Sequence, residues 1–185
     1  MLIFIEIAAV LFTFLYLYFI GKKQAFGWLM GILASVLSLF FFYIKGYYGS
    51  AVLNFVYIFQ GLVGFLYWKK LAIEKPVKYY FKLTDHFLLL AIITLLYLVL
   101  RWILNQLGIK DLKNIDIILS CGCIVATYLE IKKDTSCWWY WMVLNIFFSM
   151  YYFNGNMPIY AGLMVVLAVF SYWALRQWNK KSVLN

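Results

Sequence analysis

Residues 5–23, IEIAAVLFTFLYLYFIGKK, and residues 115–133, IDIILSCGCIVATYLEIKK, decide the fold between them. Each holds an apolar run close to the ~20 residues a helix needs to cross a bilayer. Each opens on an acid, Glu6 or Asp116, carries a tyrosine, Tyr18 or Tyr128, and closes on a lysine pair, Lys22-Lys23 or Lys132-Lys133. The offset between them is 110 residues, and the same shift carries Trp28 onto Trp138, Trp68 onto Trp178 and Lys70 onto Lys180. A one-residue slip then sets Tyr43-Ile44-Lys45-Gly46 beside Tyr152-Phe153-Asn154-Gly155. Trp and Lys are too scarce in apolar spans to coincide this often by chance, so the chain reads as a duplicated unit.

Seven apolar runs can be marked off by their polar breaks: Leu2 to Ile20, Ala25 to Ile44, Ala51 to Trp68, Phe87 to Leu104, Ile115 to Leu129, Cys137 to Phe153 and Met157 to Leu175. The first lacks a basic leader and a small-residue cleavage site, so it is expected to be retained as a span. Composition agrees: 66% of the 185 residues are hydrophobic and 12% charged. A soluble domain averages roughly 45–50% apolar and about 25% charged, so this chain has too little polar surface to coat a globule. The net charge of +9 sits in short clusters between apolar runs and forms no basic face, which argues against nucleic acid as a partner and points to membrane lipid.

The lysines also orient the chain. With seven spans and the N-terminus outside, the cytoplasmic segments hold twelve basic residues: Lys22, Lys23, Lys69, Lys70, Lys75, Lys78, Lys82, Lys132, Lys133, Arg176, Lys180 and Lys181. The outside holds four: Lys45, Arg101, Lys110 and Lys113. The positive-inside rule therefore predicts an external N-terminus and a cytoplasmic C-terminus.

Both triplets of spans begin outside and end inside, so the halves are parallel repeats, and the fourth span restores the orientation between them. The expected architecture is an all-α membrane protein of seven transmembrane helices in a 3+1+3 plan. Its units are residues 1–70, the first three-helix repeat; 71–110, the linker with helix four; and 111–185, the second repeat. Such plans bind substrate near the midplane between repeats; a duplicated structural protein is the other reading.

A site is expected where the repeats differ. In helix six Trp138, Trp141, Asn145, Ser149 and Tyr152 recur at steps of three and four, forming one stripe. The matching stripe of helix two is Trp28, Gly31, Ser35, Leu39 and Phe42, smaller and less polar. In helix three Asn54, Tyr57 and Gln60 share a face, followed by Gly61 and Gly64. Amides in a span face the bundle or a cavity, because lipid leaves them unsatisfied. The alternatives are interhelical hydrogen bonds for the amides and, for Trp138 above all, an interfacial belt. As chemistry, the stripe suits a flat and cationic ring: Trp faces carry negative quadrupole charge, and amides offer both donor and acceptor to a carboxamide or ribose. No fixed charge is required of the spans.

At these residues the chain resembles the PnuC family of vitamin transporters. The family's helix-six motif, W-x-x-W followed by three apolar residues and Asn, reads here as Trp138-Trp139-Tyr140-Trp141-Met142-Val143-Leu144-Asn145. The end of its helix three reads Gly64-Phe65-Leu66-Tyr67-Trp68-Lys69-Lys70, and Glu6, Asp116 and Tyr47 stand where the family has them. Asn54 stands where members often carry Gln. The resemblance implies a 3+1+3 bundle in a bacterial inner membrane, working as a homotrimer. Nicotinamide riboside would cross by facilitated diffusion, feed NAD biosynthesis and be trapped by a cytoplasmic kinase. Trp138, Trp141 and Asn145 would bind it. Relatives carry thiamine or riboflavin, so the vitamin stays open between nicotinamide riboside and thiamine, with riboflavin behind them.

Other residues carry less chemistry. Cys121, Cys123 and Cys137 lie in or beside spans with His86 as the lone histidine, and read as packed apolar thiols with no metal or cofactor. His86 follows Thr84-Asp85 at the entry to helix four, beside an N-cap. Glu6 and Asp116 lie near helix starts, where acids complement the dipole, with a second reading as lures for cations. An intramembrane enzyme would need His, Asp, Glu or Ser clustered inside the spans. None is expected here, which leaves a non-transporting subunit as the competitor to transport.

Overall fold

The computed structural model describes residues 2–22, 24–71, 83–109 and 113–180. Lys23, Lys75, Lys78, Lys82, Lys110 and Lys181, which share in the charge count, lie outside these. The described residues form seven helices: α1 (Leu2–Gly21), α2 (Phe26–Ile44), α3 (Tyr48–Leu71), α4 (Leu83–Gln106), α5 (Asn114–Ile131), α6 (Cys137–Asn154) and α7 (Pro158–Lys180). Every expected run lies within one helix or within a residue of it, and the helices add polar turns at their ends. The extension that matters is in α5, which runs past Leu129 and takes in Glu130.

Among the described residues six helices are long and apolar enough to cross a membrane. The exception, α6, exchanges aliphatic residues for Trp138, Trp139, Tyr140, Trp141, Asn145, Tyr151 and Tyr152, so its hydropathy falls while its length does not. A helix with one face turned into the bundle can do this, since lipid does not have to solvate that face.

The two halves fold alike down to their turns. Gly46 at φ 72° and Asn156 at φ 54° occupy the left-handed position after α2 and α6, a conformation open to Gly and Asn. The next amide closes each turn identically, Tyr47 N–H to the Phe42 carbonyl at 2.9 Å and Met157 N–H to the Tyr152 carbonyl at 3.0 Å. The offset is therefore still 110 at this turn, and the one-residue slip expected from the sequence is not there: Gly46 matches Asn156, not Gly155. The turns after α1 and α5 agree as well, Gln24 N–H bonding Phe19 and Asp134 N–H bonding Leu129, both at 2.9 Å.

Helices α1, α2 and α3 pack in sequence, as α5, α6 and α7 do. The halves meet along two seams, a long one of α3 on α5 and a slight one of α1 on α7. Helix α4 packs on α5, and its His86 Nδ1 lies 2.8 Å from the Tyr140 hydroxyl of α6. Because α4 begins at Leu83, Thr84 and Asp85 belong to its first turn. With the backbones of α2 and α6 held apart and their rings meeting at one end through Phe42 and Tyr152, a space is left between the halves.

Candidate functional site

That space is a cavity of about 160 Å³, room for on the order of ten waters and so for a small molecule. It runs along α6 from Trp138 to Tyr152, a rise of roughly 21 Å. The two stripes line opposite sides of it: Trp138, Trp141, Asn145, Phe148 and Tyr152 from α6, and Trp28, Gly31, Ser35, Ser38 and Phe42 from α2. Each pair is related by the same 110-residue offset.

Aromatic clusters stand at both ends. Toward the lysine-rich end, Trp28 meets Trp68 edge to face at 5.5 Å and 88°, and Trp138 meets Trp178 at 5.1 Å and 88°. Trp68 of α3 and Trp178 of α7 meet between the halves at 6.3 Å. The repeat thus generates a four-tryptophan cluster, one pair from each half. Trp28 can lie against α3 because position 64 is glycine, where a Cβ would sit 2.5 Å from its ring. At the opposite end Phe42 stacks on Tyr152 at 5.3 Å and 21°, with Tyr160 4.7 Å from Phe42.

The polar groups divide the same way. At the lysine-rich end Glu130, 1% exposed, accepts a hydrogen bond from the Tyr16 hydroxyl at 2.5 Å and one from Trp141 Nε1 at 2.9 Å. At the opposite end Asp116, also 1% exposed, accepts from the Ser50 N–H at 3.0 Å and from the Ser50 hydroxyl, which itself lies 2.8 Å from the Tyr152 hydroxyl. This ties α3, α5 and α6 together, so Asp116 is a buried fastener of the long seam as well as a first-turn acid. Nearby, the Lys113 ammonium lies 3.5 Å from the centre of the Tyr47 ring. Burial and the charge of Asp116 push the Tyr47 hydroxyl above its usual pKa. In the turn after α5, burial pulls the Lys133 ammonium below the usual lysine range.

The structure brings Trp138, Trp141, Asn145, Asn54, Tyr57 and Tyr152 together around the cavity. Trp138 is 3% exposed and packed between Trp178 and Phe170, which places it inside the bundle and not in an interfacial belt. Gln60 and Ser149 lie elsewhere: the Gln60 amide donates to the Ile124 carbonyl across the α3–α5 seam at 2.9 Å, and the Ser149 hydroxyl donates to Ala161 of α7 at 3.0 Å. Asn54 donates to the Ser50 carbonyl at 2.8 Å while lining the cavity.

Glu130 and Tyr16 are what the sequence reading missed. The fifth apolar run was marked off at Leu129, so Glu130 fell just outside it and was not considered for the site. A signal existed: Cys123, Thr127 and Glu130 follow helical steps of four and three, and all three line the cavity. The three cysteines are buried thiols, and among the described residues no three His, Cys, Asp or Glu residues gather to hold a metal ion.

A family model described as nicotinamide mononucleotide transporter matches residues 3–180. No curated protein matches. Among solved structures the chain is similar to the crystal structure of the vitamin B3 transporter PnuC, at 23% identity, with 96% of this chain and 81% of that one covered and a TM-score of 0.81. At that identity the likeness establishes the 3+1+3 helical fold.

Proposed function

The chain belongs to the nicotinamide mononucleotide transporter family, a multi-pass membrane transporter and not an enzyme, and from that premise we propose that it takes up nicotinamide riboside by facilitated diffusion. The observation that carries this reading is the lopsided cavity. Trp138, Trp141 and Asn145 face a symmetry mate that offers Gly31 and Ser35 where they offer an indole and an amide. A flat cationic ring gains on the order of 2 kcal/mol over a desolvated Trp face, and the Asn145 amide can both donate to and accept from a carboxamide or ribose. Vitamin B3 is also the cargo named for the solved transporter.

The placement of the acids supports a passive mechanism. Glu130 and Asp116 are fourteen residues apart on α5, roughly 21 Å along its axis, too far to pass a proton between them. Net uptake then relies on a cytoplasmic kinase that phosphorylates the vitamin after entry. The charge count favours an external N-terminus and a cytoplasmic C-terminus in the inner membrane, and the two repeats with their linker work as a homotrimer.

Calorimetric titration of the detergent-purified protein tests the ligand. Nicotinamide riboside should bind more tightly than thiamine; the reverse order makes this a thiamine transporter, and binding of neither vitamin, nor of riboflavin, removes the proposed cargo. In proteoliposomes without an ion gradient, uptake should stop at equal concentrations on both sides. Accumulation driven by protons or sodium overturns the passive mechanism, a working periplasmic reporter at Asn185 overturns the topology, and light scattering of the detergent complex checks the trimer.

A further inference from the structure

We infer that Glu130 is the counter-ion that lets this cavity prefer a cationic ring to a neutral ring of the same shape. The inference rests on the cavity being the vitamin site, and it names the residue that reads charge there.

Glu130 is the buried acid that lines the cavity. Removing a carboxylate from water is expensive, and proteins offset it with a basic partner or with hydrogen bonds. Here both oxygens accept bonds from neutral donors, Tyr16 from α1 and Trp141 from α6. Neighbouring lysines are engaged elsewhere: Lys132 lies over the Tyr67 ring at 5.0 Å and Lys133 over the Trp68 ring at 5.0 Å. Among the described residues no basic side chain forms an ion pair with Glu130, whose hydrogen-bond donors are Tyr16 and Trp141. The balancing charge is left to whatever enters the cavity.

Geometry puts that charge where the rings are. Trp141, which donates to Glu130, also presents its indole to the cavity, and Tyr57 lies 6.5 Å from it. A cation drawn to the carboxylate is thereby held at Trp faces, and the two attractions act on one ligand atom group. The first repeat lacks the device, since the mate of Glu130 at the 110-residue offset is Ile20, fully buried. The cavity is charged on one side alone.

A carboxylate could also be present only because it accepts from two donors, a role that a ligand's charge would not touch. The test therefore varies the charge of the ligand. Nicotinamide riboside carries a pyridinium cation, and its 1,4-dihydro form has a neutral ring of nearly the same size. The parent protein should bind the cation on the order of tenfold more tightly than the dihydro form. Glu130→Gln should bring that ratio close to one, Glu130→Asp should keep most of it, and Gly162→Ala, where an added Cβ meets nothing within 4 Å, should leave it unchanged. A folded Glu130→Gln protein that retains the parent's ratio overturns the inference. So does a parent that binds both forms alike, an outcome that needs no variant and leaves the proposed function standing. A parent that binds neither form nor thiamine overturns both.

Discussion

Helices α1 and α5 hold equivalent places in the two repeats, yet four of the twenty residues of α1 are buried against thirteen of the eighteen of α5. The difference comes from their surroundings. Helix α5 lies between α3, α6 and the linker helix α4, whereas α1 has α2 beside it and a slight contact with α7. The fourth helix thus does more than restore orientation. By covering one half, it makes an interior in which two acids are kept, while the equivalent helix of the other half buries only one, Glu6. Glu130 answers to Ile20, and Asp116 answers to the less buried Glu6. Duplication supplies the frame, and unequal burial allows one copy to acquire chemistry.

The sharpest way to break that comparison is at the two opening acids. Asp116→Ala leaves the Ser50 N–H and hydroxyl buried without their acceptor, and each such loss costs about 1–3 kcal/mol. A total near 3 kcal/mol is expected, read as lost thermal stability in detergent. Glu6 lies near the backbone N–H of Tyr160 and has one buried oxygen already without a partner among the described residues. Glu6→Ala should therefore cost about 1 kcal/mol or less. Equal losses at the two sites would mean that the seams carry equal weight.

The second test concerns the tryptophan cluster. Position 64 lies under Trp28, and its mate at the 110-residue offset is Ala174, which lies in the same buried cluster as Trp138. Gly64→Ala would drive a Cβ to 2.5 Å from the Trp28 ring, an overpacking that costs about 1–3 kcal/mol. Gly162→Ala, with nothing within 4 Å of the added carbon, should be neutral or stabilise by about 0.5 kcal/mol. Thermal unfolding of the two variants side by side distinguishes a crowded seat from a helix that simply tolerates glycine.

Seven helices, their parallel duplication and the α6 stripe were legible because each is a periodic pattern of scarce residues: tryptophans and lysines at a fixed shift, polar aromatics at steps of three and four. The buried acids were not legible. A Glu two residues before a lysine pair looks like a loop residue, whereas α5 continues to Ile131 and Glu130 is buried within it. Gln60 and Ser149 were grouped with the site because helical spacing gives a face and not a neighbour. One meets Ile124 across a seam and the other meets Ala161. The packing partner of each face is a tertiary fact, and a single sequence does not contain it in periodic form.

Third in size are changes to ligand affinity at the α6 stripe. Trp141→Ala removes a ring from the cavity wall and one donor from Glu130. If the ring stacks on the pyridinium, its loss should cost on the order of 1–2 kcal/mol, roughly tenfold in the dissociation constant. Asn145→Leu holds the volume nearly constant while leaving a ligand polar group without a partner, at a similar penalty. Titration of both variants checks this, and parent-like affinity in both would return the stripe to helix packing.

The smallest effect is expected at Ser35, the mate of Asn145 on the opposite wall, 6% exposed and lining the same cavity. If one repeat holds the ligand and the other gives it room, Ser35→Ala removes a hydroxyl that the ligand does not need. The change in affinity should stay within about twofold, a few tenths of a kcal/mol. Ser35→Asn is the converse, since it restores the amide that symmetry would place there and narrows the space beside Gly31. Weaker binding by Ser35→Asn together with unchanged binding by Ser35→Ala would show that the first repeat contributes volume. A loss on Ser35→Ala as large as that on Asn145→Leu would show instead that the ligand is held from both sides, and that the asymmetry of the cavity lies in its charge and not in its contacts.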